Sequence, residues 1–497
     1  MSPPPPAVEA PRFDPGRRRA VTIALALVTA LAALEGTIVS TAMPTIIGDL
    51  NGLSLYSWVF SLYLLTATVS MPLYGRLADI HGRRRILLVA IVLFVTGAVA
   101  CALARTMPQL IAARGLQGLG AGGLVPVAVT VVADLYNLRE RARIQGLFSG
   151  IWGAASLIGP LLGAFLTLTF GWRSIFSVNV PLGLLALFLV ATQMRESRAP
   201  LADPFDLAGS LTLGIGVTGL LFAVMQGTTE GGGGGGVRLI LAATALASLA
   251  AFVRLQARRE HPLVPPGLFT RADTATPYVA CALLGTTIFG VDTFVPLFVQ
   301  GARGGSVAAA GAVVTPIVLF WALSAAVAAR AIVAWGYRAT AVVGAVVILL
   351  GLAGLIAAAL TGARTAWISA ACALIGTGLG PSSMSQLLAI QYVVEERQRG
   401  VATSLVPFFR ALGGALGVGA LGAILAAGLA RRLGAAADTA GRLLTGQLDA
   451  IPAGVSAAAL RHAIDQSLLP VFAVLLALAL VNVFVVAWFP GRPLTPR

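Results

Sequence analysis

Four ionisable residues stand inside long apolar runs of this 497-residue chain: Glu35, Arg114, Asp292 and Arg410. A charge at the centre of a hydrocarbon layer costs at least about 2.5–3.5 kcal/mol, so each is expected to face protein or water and to carry function. Glu35 lies mid-run in ALVTALAALEGTIVS. Low dielectric penalises its charged form, which suits proton exchange or the binding of a cationic substrate. The alternative is a carboxylate held permanently by a helix-packing partner. Arg114 sits near the start of its run, where it can snorkel outward or pair with an acid. Asp292, in GTTIFGVDTFVPLFVQ, reads as a second protonatable site or cation anchor, or else as a cap on backbone freed near Pro296. Arg410 can balance one of these acids or bind an anionic head group.

Positioning such residues is the work of membrane-spanning helices. The chain is 58% hydrophobic and 11% charged, with a mean hydropathy of +0.90, against about 45–50% and about 25% in soluble domains. Soluble, disordered, collagen-like and disulfide-scaffold classes are excluded. Unbroken apolar runs, in place of short alternating segments, also exclude a transmembrane β-barrel. A ruler of about 20 residues per span places fourteen segments. They lie near 21–46, 55–74, 84–104, 108–134, 143–168, 173–193, 207–226, 237–254, 275–299, 306–330, 337–360, 364–392, 400–429 and 467–489. The even count puts both termini on one side, and Arg residues crowd the loops of that side, so both termini are expected to be cytoplasmic. The net charge of +15 is then a matter of topology and calls for no nucleic acid.

The sequence divides into a disordered cytoplasmic tail at 1–19, a six-helix half at 20–200, two extra helices at 201–260, a second six-helix half at 261–490 and a short tail at 491–497. The long outer loop at 430–466 is expected to hold a short amphipathic helix, and the glycine run at 231–236 a flexible outer linker. A shift of about 254–256 residues brings the halves into register. GRLADIHGRRR at 75–85 meets a decayed copy around Arg330, Gly336 and Arg338. GLGAGGLVP at 118–126 meets GTGLGPSS at 376–383, with Pro126 opposite Pro381. No metal site is expected, because Cys101, Cys281 and Cys372 are far apart and the three His lie outside the apolar runs. No Walker pattern and no nucleophile–base pair occurs, so the chain reads as neither an ATP-driven pump nor an enzyme with catalytic residues.

The 75–85 segment resembles the signature loop of the major facilitator superfamily through its Gly, Leu, Asp, Gly and Arg positions. LIAARGLQGLGAGG at 110–123 is similar to the fourth-helix motif of that superfamily. GLFSGIWGAASLIGPLLGA at 146–164 is similar to the fifth-helix motif of its antiporters. LEGTIVSTAMP, GWRSIFSVNVPLG and FFRALGGALG resemble the fourteen-helix drug:proton antiporter branch, with Glu35 standing where that branch usually has Asp. The resemblance implies an all-α major facilitator fold of two pseudo-symmetric halves with an inserted helix pair. It also implies a secondary exporter without a cofactor, powered by the proton gradient in the cytoplasmic membrane and working as a monomer. Its partners would be protons, the lipid bilayer and a lipophilic, cationic or amphipathic compound.

Glu35, Asp292, Arg114 and Arg410 are then the proton-coupling and substrate residues. Gly75, Asp79, Gly82, Arg83 and Arg84 form the gating loop, where Gly75 and Gly82 permit a tight turn, Asp79 faces the positive end of a helix and the arginines pair with acids across the halves. Gly159, Pro160 and Gly163 make a pliable, closely packed seam, or ordinary small-residue packing. Trp152, Phe408 and Phe409 line an aromatic cavity or face lipid. Two other readings stay open: an exporter dedicated to one endogenous metabolite, lipid or amino acid, and a membrane scaffold or lipid-handling partner that transports nothing.

Overall fold

The protein is described by a computed structural model over residues 15–50, 56–196, 206–225, 235–260, 262–305, 307–395, 398–433 and 457–489. Every regular element among these residues is helical. Nine of the described helices are long and apolar enough to cross a bilayer, and each of the fourteen apolar segments falls on a helix. Large apolar side chains stand exposed on their outer surfaces, among them Leu103, Leu168, Phe188, Leu239 and Trp488. Such faces are stable against lipid and unstable against water.

The chain forms two compact units, residues 1–205 with 397–401, and 206–396 with 402–497. The first is built from α1 (Pro15–Leu50), α2 (Tyr56–His81), α3 (Arg83–Leu103), α4 (Met107–Leu135), α5 (Leu138–Phe170), the short α6 (Ser174–Ser177) and α7 (Asn179–Gln193). Helix α4 is the most enclosed and packs on α2 and α3, while α1 packs on α5, α7 and α4. Thr106 starts α4 by accepting a bond from Gln109 N at 3.4 Å, and the reciprocal Asn137–Glu140 capping box starts α5. Ile38, Met43, Trp172 and Phe176 are core residues of this unit.

The second unit contains α8 (Leu207–Met225) and α9 (Gly235–Arg258), which pack on each other. After α10 (Gly267–Thr270) come α11 (Ala272–Leu297), a π-helical turn (Phe298–Ala302), α12 (Val307–Leu360), α13 (Thr365–Val393), α14 (Arg399–Leu433) and α15 (Ala457–Ala487). The first three residues of α14 cluster with the first unit and the rest with the second. Its core joins Phe294, Phe298, Leu352, Ile375 and Phe472.

The internal repeat has physical counterparts. Gly82 turns α2 into α3 at φ 93°, and Gly336 bends α12 into two limbs at φ 82°, a backbone region that favours glycine. Gly118, Gly120 and Gly122 of α4 lie against Tyr63 O, Phe94 N and Ala67 O. Gly376, Gly378 and Gly380 of α13 lie in the same way against Ile317 O, Gly344 O and Ala325 N.

Three boundaries differ from the sequence reading. Residues 15–19, assigned there to the tail, form the first turn of α1, because Arg17 donates to Gln193 O at 2.6 Å and Arg18 pairs with Glu140. Gly75 and Asp79 lie within α2, so the turn needs Gly82 alone. The last helix begins at Ala457, ten residues before its apolar run. The tail before Pro15, residues 231–234 of the glycine run, residues 434–456 of the outer loop and the C-terminal tail lie outside the described residues.

A Cβ at Gly120 or Gly378 meets backbone of the adjacent helix, whereas one at Gly150 meets open space. Gly120→Val and Gly378→Val are therefore expected to destabilise by at least about 1–3 kcal/mol. Gly150→Ala should raise stability by up to about 1 kcal/mol through helix propensity. Thermal unfolding of the purified variants in detergent measures both signs.

Candidate functional site

Glu35 is fixed by its place on α1, and three other helices of the first unit supply its surroundings. Its Oε1 pairs with Arg114 Nη1 of α4, and its Oε2 accepts from Asn179 Nδ2 of α7 at 2.8 Å. Arg114 in turn donates from Nε to Val59 O of α2 at 3.2 Å and from Nη1 to Gln117 Oε1 at 2.8 Å. The guanidinium lies 4.0 Å from the Tyr63 ring centroid and 6.0 Å from that of Phe176. The Cys101 thiol donates to the same Gln117 oxygen at 3.6 Å. Glu35 and Arg114 are each 1% exposed, so both charges have left water and depend on each other. The arginine needs a close-packed site, and the glycine face of α4 lets α2 and α3 come near enough to make it.

A second network surrounds the α2–α3 turn. Asp79 accepts from Gly400 N at 3.1 Å and Val401 N at 3.0 Å, so its carboxylate caps the first turn of α14. Arg83 pairs with Asp79 at 3.5 Å and with Asp134, and Arg399 reaches Asp134 at 3.4 Å. Glu196 accepts from Arg83 N at 2.8 Å and Arg84 N at 3.2 Å, and Arg84 donates to Ala191 O at 2.6 Å. Asp79 and Asp134 belong to the same unit as Arg83, where the ends of α2 and α4 lie beside the start of α3. Beside this network burial pushes the Glu140 carboxyl up, but the Arg18 guanidinium and the Asn137 N–H bring it below its ordinary value.

The remaining candidates are dispersed. Asp292 is exposed on α11 and makes no hydrogen bond or ion pair with a described residue. Arg410 is half-buried on α14, and its backbone carbonyl packs on Gly285 of α11. Phe408 is buried and edge-on to Phe409, whose ring also meets Tyr278 at 5.3 Å and Phe269 at 5.9 Å. Trp152 is exposed on α5. Gly159 and Gly163 are buried in α5, and the Pro160 side chain lies outside the described residues. No group of three His, Cys, Asp or Glu side chains among the described residues is placed to hold a metal.

Asn179, Asp134 and Glu196 escaped the sequence reading. Asn179 is a lone amide entering an apolar run, a signal of a buried partner, whereas Asp134 and Glu196 sit at helix ends, where acids are ordinary.

Long apolar helices joined by repeat-related turns, with a paired carboxylate–guanidinium site buried inside one unit, define a multi-pass membrane protein. The profile of the Major Facilitator Superfamily matches residues 25–418, and the chain belongs to that family. It is 33% identical over 91% of its length to the Multidrug transporter protein MdtP of Bacillus subtilis (strain 168), covering 82% of that protein. It is 30% identical to Multidrug resistance protein 3 of the same organism, over 81% of this chain and 79% of that one. The human organic anion transporter MFSD10 (TETRAN) shares the fold, with a TM-score of 0.65 at 15% identity over 95% of this chain and 100% of that one. The protein is thus a multi-pass membrane transporter of the major facilitator fold.

Arg114→Met leaves the Glu35 carboxylate buried without its cation and is expected to cost about 3–5 kcal/mol. The double variant Glu35→Met, Arg114→Met removes both charges and should recover most of that loss. A double-mutant cycle on thermal unfolding reads the coupling.

Proposed function

We propose that this transporter exports lipophilic, cationic or amphipathic compounds across the cytoplasmic membrane in exchange for protons, with Glu35 as its proton site. The observation that carries the reading is the sequestered Glu35–Arg114–Asn179 cluster, a carboxylate removed from water beside groups that respond to its charge. The multidrug names of the relatives support the substrate class.

Ionised Glu35 holds Arg114 and Asn179 together and so ties α1 to α4 and α7. A proton on Glu35 cancels the ion pair. Arg114 then retains Val59 O, Gln117 Oε1 and the Tyr63 ring as partners, so the cation is not stranded by the change. Proton arrival thereby weakens one set of helix contacts and spares another, which is the property a coupling site requires. Asp292, exposed and without a described partner, is available to a cationic substrate. The Asp79 cap on the first turn of α14 and the Arg83–Asp134–Arg399 ion pairs hold the start of α14 within the first unit, contacts to be broken and remade in alternating access. Both termini lie in the cytoplasm in this reading, as the arginine bias requires.

Proteoliposomes under an imposed pH gradient test it. Ethidium and other lipophilic cations should drive proton movement in the wild type, and Glu35→Gln should abolish that movement while the protein still folds and inserts. Unchanged proton coupling in the variant overturns the role of Glu35, and a wild type that couples no compound overturns the export reading.

A further inference from the structure

The two intramembrane arginines have opposite surroundings. Arg114 is neutralised by Glu35, whereas Arg410 forms no ion pair with any described residue. Its Nε is buried without a hydrogen-bond partner. The nearest acid ahead on the packed helix is Asp292, seven residues beyond the Gly285 on which Arg410 rests, or about 10 Å along α11. An uncompensated guanidinium at membrane depth is costly and is not retained for packing alone.

A second orphan lies beside it. The Cys281 thiol of α11 donates to Gln386 Oε1 of α13 at 3.2 Å, and it lies one helical turn before the Gly285 on which Arg410 packs, near enough to feel the arginine's charge. Gln386 is fully buried, and its Nε2 has no partner. Gln386 meets the sulfur through its oxygen, and two donors near this thiol, Gln386 Nε2 and Arg410 Nε, are left without an acceptor. The Phe409 ring, one residue before Arg410, stacks obliquely on Tyr278 of α11 and gives the place an aromatic wall.

We infer that Arg410 and Gln386 form a binding site for an anionic group in the second unit, distinct from the Glu35 cluster. A planar guanidinium presents paired donors that match carboxylate, sulfonate or phosphate oxygens, and the amide adds a third donor. The group belongs to an amphipathic molecule whose apolar part meets Phe409 and Tyr278. Its source is either an organic anion handled as substrate, which rests on the export reading, or the phosphate of a membrane lipid, which does not.

The test is equilibrium binding to the full-length protein in phosphatidylcholine nanodiscs, with fluorescein as the anionic probe and ethidium as the cationic one. Fluorescein should bind the wild type, and Arg410→Gln should weaken it at least about tenfold, as expected for a lost charge-assisted bond. Gln386→Leu should weaken it several-fold, and Arg410→Lys should restore part of the loss. Ethidium affinity should stay within about twofold throughout, a difference too small to reflect a lost contact. Replacing part of the phosphatidylcholine by phosphatidylglycerol separates the sources. Displacement of fluorescein and a raised unfolding temperature, both absent in Arg410→Gln, identify a lipid phosphate, and binding unaffected by the lipid identifies a free organic anion. The site is overturned if folded Arg410→Gln and Gln386→Leu match the wild type toward fluorescein and phosphatidylglycerol, if both probes weaken equally, or if the wild type responds to neither anion. Because binding is read without transport, these results stand whether or not proton-coupled export is observed.

Discussion

A charge taken out of water must find its counter-charge within the protein, and the first unit is organised around one place where this happens. Arg114 reaches Glu35 on α1 and the Val59 carbonyl on α2, and through Glu35 it is linked to Asn179 on α7. No single helix could satisfy that guanidinium, since its donors reach α1, α2 and its own α4. The requirement propagates outward. Glycines on α4 admit the backbones of α2 and α3, the Cys101 thiol donates to the Gln117 oxygen that also accepts from Arg114, and the Tyr63 face covers the cation.

The second unit shares the backbone plan and departs from the charge plan. Gly378 and Gly380 of α13 repeat the close approach made by Gly120 and Gly122 of α4. Yet Arg410 on α14 makes no ion pair with a described residue, and Asp292 on α11 stands exposed without a described cation. Helix packing constrains both halves of a repeat alike, because two backbones in contact need glycine whatever the function. Charges are free to diverge, because no backbone contact between the helices depends on them.

The network at the α2–α3 turn shows a different use of the same electrostatics. Asp79 is paired with Arg83 and also accepts two backbone N–H groups at the start of α14. A helix N-terminus offers unsatisfied donors and a partial positive charge, so a carboxylate there is held by geometry as well as by its cation. Gly400 leaves the room for it, since a Cβ at that position would meet the carboxyl group.

Composition and periodic apolar runs determined that the chain is helical and crosses a bilayer many times, because span length and hydropathy depend only on local residues. The glycine-bearing motifs and the half-chain shift made the repeat and its superfamily resemblance legible, since glycine marks where backbone must turn or approach. Glu35 and Arg114 were visible as costly residues, but nothing in their separation of 79 positions along the chain could pair them. That pairing, the recruitment of Asn179, the capping of α14 by Asp79 and the lack of an ion pair between Arg410 and any described residue were decided only by tertiary structure. Which helix faces which is set by the packing of whole surfaces, and a charge has a partner only where that packing brings one within a few ångströms.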